Sequence, residues 1–276
     1  MRKLIYTAFL MSFWVATAQE IPQPDWEELS KTKPWEATEL YKEVPVVVPG
    51  KSNSAPSDAI VLFDGKSLDN WRTAQFGFPV SMEGFQVMIP QQSVDYESNP
   101  APWLVKEEAL EVKPGSGAIA TRQGFGNVQL HIEWKAPKMP ADKTGQQGGN
   151  SGVFFMGMYE VQILNSYENP TYSNGQAASV YKQHIPLANA SLPPESWQMY
   201  DIIFMAPQFS DKGTLLRPAT ITVFHNGVLV QNNVELLGPT CYIGTPYYVP
   251  HGDKLPIILQ DHGDPMQFRN IWVREL

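Results

Sequence analysis

The sequence predicts an all-β chain, an antiparallel β-sandwich of the jelly-roll type. Three observations carry this. Short segments alternating apolar and polar residues recur along most of the chain, the period-2 signature of half-buried strands. Turn-forming residues separate them, drawn from 24 prolines and 20 glycines, and aromatic residues make up 12% of the sequence. No segment sustains the 3.6-residue period of a long amphipathic helix.

The strands are expected in this order. Ala59-Ile60-Val61-Leu62-Phe63 is apolar and stops at Asp64-Gly65. Ala109 to Val112 alternates, and Val128 to Lys135 alternates strictly, with His131, Glu133 and Lys135 on one face and Leu130, Ile132 and Trp134 on the other. Val153 to Met156 and Met158 to Leu164 form a pair, followed by Met199 to Met205 and Ala219 to Phe224. Asn226-Gly227 is a strong hairpin signal leading into Val228-Leu229-Val230. Leu255 to Leu259 and Phe268 to Val273 close the series. Residues 73–105 and 136–149, rich in Gly, Pro and Gln, are expected as long loops at one rim, where binding sites tend to lie on such scaffolds.

Ahead of this domain, placed at residues 58–276, lie two other segments. Residues 1–18 read as a signal peptide. Arg2 and Lys3 precede an apolar run from Leu4 to Val15, and Ala16-Thr17-Ala18 supplies a cleavage site before Gln19. The run is short for a bilayer span, and no cysteine stands at the cleavage point to carry a lipid. A periplasmic or secreted product with no membrane insertion after cleavage is therefore expected. Residues 19–57 hold six prolines and a Ser-rich stretch, and read as an extended arm and linker lying over the domain.

Charge and cysteine content exclude several classes. The formal net charge is −8, and loss of Arg2 and Lys3 with the leader lowers it by two, to −10. That sign argues against nucleic acid and anionic membranes as partners. The sole cysteine, Cys241, excludes an internal disulfide and a thiolate metal cluster, and is expected as a small packing residue. Phosphate loops, the H-E-x-x-H and G-x-S-x-G signatures and a dinucleotide fingerprint are all missing from the sequence. Oligomeric state is not encoded in anything legible here.

Two constellations could carry chemistry. In Tyr159-Glu160-Val161-Gln162-Ile163-Leu164, Glu160 and Gln162 share a face, and Glu133 is placed in the same way between His131 and Lys135. The two strands are expected to line one concave face, with Asn150 entering it from a glycine-rich loop. Carboxylates and amides for hydroxyls, with aromatics for ring faces, are how sugar sites are built. Gln260-Asp261-His262-Gly263-Asp264, followed by Arg269-Asn270, adds a titratable imidazole among donors and acceptors. Either set could instead be a solvated strand face or a capped turn.

Several of these segments together resemble the 3-keto-disaccharide hydrolase family. They are Leu62-Phe63-Asp64-Gly65-Lys66-Ser67-Leu68 with Trp71, Gly149-Asn150-Ser151-Gly152-Val153, Tyr159 to Leu164, Trp197 to Ile202, His225-Asn226-Gly227, Leu259 to Gly263, and Phe268-Arg269-Asn270-Ile271-Trp272. One departure is Asn165, where the family often has Asp. The resemblance implies a concanavalin A-like, lectin/glucanase-type sandwich and an oligosaccharide or glycoside substrate already oxidised at C3. A C3 ketone acidifies the C2 proton. A base can then remove it, the C1 group leaves by β-elimination, and water adds to the product. Glu160 and His262 are expected as the acid/base pair, with Glu133, Lys135, Asn150, Gln162, Asp261 and Arg269 holding substrate. No redox cofactor is implied, whereas a divalent metal could polarise the enolate oxygen. The competing expectations are a non-catalytic sugar-binding module on the same fold and a hydrolase of unoxidised polysaccharide.

Overall fold

The computed structural model describes residues 54–74 and 99–276 continuously, with Asp25, Glu27, Lys31, 39–40, 42–51, 76–77, 86–87 and 89–90 besides. The expected leader lies outside the described residues, as does about half of the expected arm. The chain divides into two units, Met1–Val46 and Val47–Leu276, and the second holds the β-domain. Its described residues contain no α-helix, only the single 3-10 turns Gly145–Gln147 and Ser173–Gly175.

Thirteen strands build two sheets. They are β1 (Ile60–Phe63), β2 (Trp71–Thr73), β3 (Leu104–Lys106), β4 (Ala109–Glu111), β5 (Ile119–Phe125), β6 (Val128–Lys135) and β7 (Asn150–Phe155). Then follow β8 (Tyr159–Leu164), β9 (Gln198–Met205), β10 (Thr220–His225), β11 (Val228–Glu235), β12 (Leu255–Leu259) and β13 (Gln267–Glu275). The first sheet runs β11-β10-β9-β6-β13-β4-β3, with β1 also on β13, and the second runs β8-β7-β12-β5-β2. Every pairing in both is antiparallel, so the sandwich predicted from the alternation is the fold observed.

Alternation decides what the sheets bury. Leu130, Ile132 and Trp134 of β6, Ile202 and Phe204 of β9, and Phe268, Ile271 and Val273 of β13 enter the core from one sheet. Val153 and Phe155 of β7, Val161 and Ile163 of β8, and Ile257 and Leu259 of β12 enter from the other. Phe155 and Phe204 stack at 4.8 Å across the gap. The Tyr200 hydroxyl donates to Gln162 O at 2.9 Å, pinning β8 to the opposite sheet. At the β10–β11 hairpin Asn226 and Gly227 hold φ of 51° and 78°, the left-handed pair that a two-residue turn between twisted strands requires.

β5 and β2 were not expected as strands. Ile119-Ala120-Thr121-Arg122-Gln123-Gly124-Phe125 alternates poorly and carries a glycine, yet it pairs with both β12 and β2 in the second sheet. Residues 136–149 form the expected irregular loop. Within 73–105, the described residues form short ribbons, Phe76–Gly77 with Ile89–Pro90 and Gln86–Val87 with Cys241–Ile243.

Candidate functional site

The β7–β8 hairpin carries the site. Asn150, Gly152 and Phe154 alternate with the core-facing Ser151, Val153 and Phe155 and therefore point away from the core. Across the ladder Gly152 faces Gln162 and Phe154 faces Glu160. Neighbouring strands supply a floor of small or apolar side chains on the same face: Ala74, Ala118, Ala120, Phe154 and Ile258 form a cluster separate from the main core.

Glu160 is 4% exposed, and among the described residues none donates to its carboxyl. Burial pushes that carboxyl well above 4.5, because the apolar floor solvates the neutral form better than the charged one. Gly152 makes the room: a Cβ there would lie 2.5 Å from Glu160 Oε1. The Glu160 backbone is fixed on both sides, its N–H donating to Thr240 Oγ1 at 3.0 Å and its carbonyl accepting from Tyr181 N at 3.3 Å.

Beside it lies an amide network. Gln162 Nε2 donates to Asn150 Oδ1 at 3.0 Å and to Gln146 Oε1 at 3.4 Å, and Asn150 Nδ2 donates to Gln146 O at 2.8 Å. Gln146 Nε2 in turn donates to Gly175 O at 2.8 Å. These donors are committed to one another. Among the described residues none donates to Gln162 Oε1, an atom able to accept two hydrogen bonds. Asp264 anchors the strand start: its buried carboxylate accepts from Gly149 N at 2.9 Å, Asn150 N at 3.2 Å and Lys143 Nζ at 2.9 Å.

The 260–264 turn borders this face. Gln260 N donates to Gly152 O, and Asp261 accepts from Gly117 N at 3.0 Å and Gly263 N at 2.9 Å. Asp261 is thus committed to holding the turn, and it presents His262, which is exposed. No hydrogen bond joins His262 to Glu160 among the described residues.

Glu133, Lys135 and Arg269 are elsewhere, which corrects the expectation that two strands share one concave face. They project from the outer side of the first sheet, across the core from Glu160. There Arg269 Nε donates to Glu133 Oε2 at 2.6 Å and Asn270 Nδ2 to Glu133 Oε1 at 3.0 Å. His131 Nδ1 lies 2.7 Å from Asp201 Oδ1, and its ring stacks on Trp272. Lys135 and Arg269 both stand over the Trp197 ring, at 4.8 and 4.1 Å. Burial raises the Glu133 carboxyl, but the hydrogen bonds from Asn270 and Arg269 outweigh it and hold the group below 4.5. The physical reason for the misplacement is that a period of two marks an outward face without saying which sheet owns it.

The other histidines serve the scaffold. His225 is buried against Gln198, and burial depresses it to about 4. His251 Nε2 meets the Tyr159 hydroxyl at 2.7 Å. The described residues bring no three His, Cys, Asp or Glu together as a metal site. Among the described residues Glu160 stands beside neutral amides, so this face offers a hard divalent ion one carboxylate and amide oxygens, and offers a soft ion no imidazole or thiolate. Sequence reasoning missed Gln146, Asp264 and Tyr181. Asp264 alone had a signal, as the last member of the 260–264 constellation.

Comparison with known proteins bears on this geometry. Residues 58–274 match the model of the 3-keto-alpha-glucoside-1,2-lyase-like domain. A crystal structure of a Parabacteroides distasonis protein, provisionally described as a glycosyl hydrolase, is similar at 45% identity and a TM-score of 0.74, covering 87% of this chain and 96% of its own. A second protein from that organism, described in the same way, shares the fold at 17% identity and a TM-score of 0.51, covering 79% of this chain and 94% of its own. Among curated proteins, none matches the chain.

Proposed function

The chain belongs to the 3-keto-alpha-glucoside-1,2-lyase-like domain family, and from that premise we propose that it is an exported enzyme cleaving 3-keto-glycosides by elimination and hydration. The observation that carries the reading is Glu160: a buried carboxyl with no donor among the described residues, raised by desolvation, on an outer sheet face lined with amides. A base poised above the ordinary carboxylate range is what abstraction of a carbon-bound proton near neutrality calls for.

In this reading Glu160 takes the C2 proton and the electron pair passes into the C2–C3 bond, giving an enolate at the C3 oxygen. Collapse of the enolate restores the ketone, forms the C1–C2 double bond and breaks the C1–O bond, with His262 protonating the departing oxygen. Water then adds across C1–C2: His262 takes one of its protons as its hydroxyl bonds to C1, and Glu160 returns its proton to C2, so that both groups are restored and the sum is hydrolysis. Gln162 accepts from the sugar hydroxyls, and Asn150, held by Asp264, keeps Gln162 in place.

The test is turnover of a methyl 3-keto-glucoside, with deuterium incorporation at C2 followed in heavy water. Glu160→Gln and His262→Ala are each expected to lower turnover at least 100-fold, about the worth of a general acid or base, and Glu160→Gln should also stop exchange. Near-wild-type rates in either variant remove that residue from the mechanism. Saturable binding without product in the unaltered chain supports a sugar-binding module instead.

A further inference from the structure

The outer face of the first sheet, across the core from Glu160, carries side chains that the proposed reaction does not use. Three of them form a row across neighbouring strands. Gln267 of β13 lies opposite Lys135 of β6 and opposite Glu111 of β4. Their chain neighbours Trp134, Phe268 and Leu110 are buried in the core, so alternation turns Lys135, Gln267 and Glu111 outward. With strands about 4.8 Å apart, the row spans about 10 Å.

The row lines a cleft of about 290 Å³, together with Pro137, Lys138, Glu195 and Pro265. That size lies near the lower end for small-molecule sites. Glu195 holds a φ of 67°, uncommon for a glutamate. Its N–H donates to Ala136 O at 2.9 Å, which fixes that turn against the end of β6.

Charge in the cleft is not balanced. Glu111 is spent on Lys106 Nζ and on Gln267 Nε2, the latter at 2.8 Å, and nearby Arg269 is spent on Glu133. Lys135 stands 4.8 Å from the centre of the Trp197 ring. Neither Lys135 nor Lys138 forms an ion pair among the described residues. Two ammoniums thus face one unpaired carboxylate, Glu195, in a chain whose net charge is −8. Among the described residues none donates to Gln267 Oε1, which can accept from a hydroxyl. Ammoniums suit a carboxylate, an amide and a carboxylate suit hydroxyls, and proline rings suit C–H faces. A bare anion would leave the amide and the prolines unused, and a neutral sugar would leave the lysines unused.

We propose that this cleft is a second sugar site, separate from the Glu160 face, and that it takes a pyranose bearing a carboxylate, a uronate. From the proposed function it borrows only the premise that the ligand is a sugar, and it needs neither a 3-keto group nor Glu160.

The test is calorimetry on the full chain with methyl glucuronide, methyl glucoside and acetate. Methyl glucuronide is expected to bind at least about fivefold more tightly than either of the others. Lys135→Gln should weaken it about fivefold to tenfold, the worth of one charge-assisted contact, and leave turnover of the methyl 3-keto-glucoside within about twofold. Lys138→Gln, at an exposed position where the fold is not at stake, should weaken it about twofold to fivefold. Equal binding of methyl glucoside overturns the carboxylate, and equal binding of acetate overturns the sugar. No binding of methyl glucuronide, or unchanged affinity in both lysine variants, overturns the site. A turnover loss in Lys135→Gln as large as its binding loss overturns its separation from the Glu160 face. Failure of the unaltered chain to turn over the 3-keto-glucoside, with lysine-dependent uronate binding intact, sinks the lyase reading and leaves this site standing.

Discussion

Glu160 is costly where it stands. A carboxyl whose native pKa is raised holds its proton more tightly folded than unfolded, so the native state binds more protons and stability falls as pH rises. The favourable term is fully present below the ordinary value of 4.5 and is lost as pH climbs from there through the raised native pKa. Glu160→Gln removes that dependence. Its unfolding free energy should gain on the parent steadily as pH goes from about 4 to about 8, with a gap of about 1–3 kcal/mol at the upper end. Calorimetry across that range checks it, and parallel curves for the two proteins would mean that Glu160 ionises as an ordinary surface carboxyl. The residues around it explain why the cost is tolerated. Asp264 spends its carboxylate on two amides and Lys143 to hold Asn150, and Gly152 leaves open the space that the Glu160 carboxyl enters. The network fixes the strands around Glu160, and none of its described members neutralises the acid.

At the scale of the strands, β6 and β8 look alike in sequence and do different work. The outer face of β6 is a closed ionic network in which Glu133, Arg269, Asn270, His131 and Asp201 satisfy one another. Glu133→Gln should therefore leave turnover of the 3-keto-glucoside within about twofold and lower stability by roughly 1–2 kcal/mol, the pair being partly screened by solvent. Denaturant unfolding and a rate assay read the two effects, and a large rate loss at unchanged stability would return Glu133 to the reaction. Alternation was enough to find β6, β8 and β9, since each packs one face on the core. β5 was hidden, as its Thr121-Arg122-Gln123-Gly124 stretch carries no period. Part of the candidate site's layout was legible for the same reason: Asn150, Glu160 and Gln162 lie on one hairpin, whose register makes them neighbours. Glu133 was misplaced because sheet membership is settled by long-range pairing, which a strand's own pattern does not contain. Tyr181 was silent because left-handed φ values at Ala178 and Lys182 set its direction, without glycine to announce them.

For the whole molecule the proposal concerns where it works, and the chemistry of the chain is compatible with export. An acidic protein with one buried cysteine needs neither disulfides nor a reducing compartment to hold its fold, because one continuous apolar core spans both sheets. Such a chain tolerates export, and the export proposal rests on the Arg2-Lys3 start, the apolar run and Ala16-Thr17-Ala18 read as a cleavable leader. Expression of the full chain in a Gram-negative host should yield a periplasmic product beginning at Gln19, its mass reduced by that of residues 1–18. Mass spectrometry of the osmotic-shock fraction reads this directly. An Ala18→Leu variant, with the small residue at the cleavage point removed, should accumulate uncut and remain with the membrane fraction. An intact Met1 terminus on soluble cytoplasmic protein would end the export proposal, while leaving the chemistry assigned to Glu160 to be judged on its own assay.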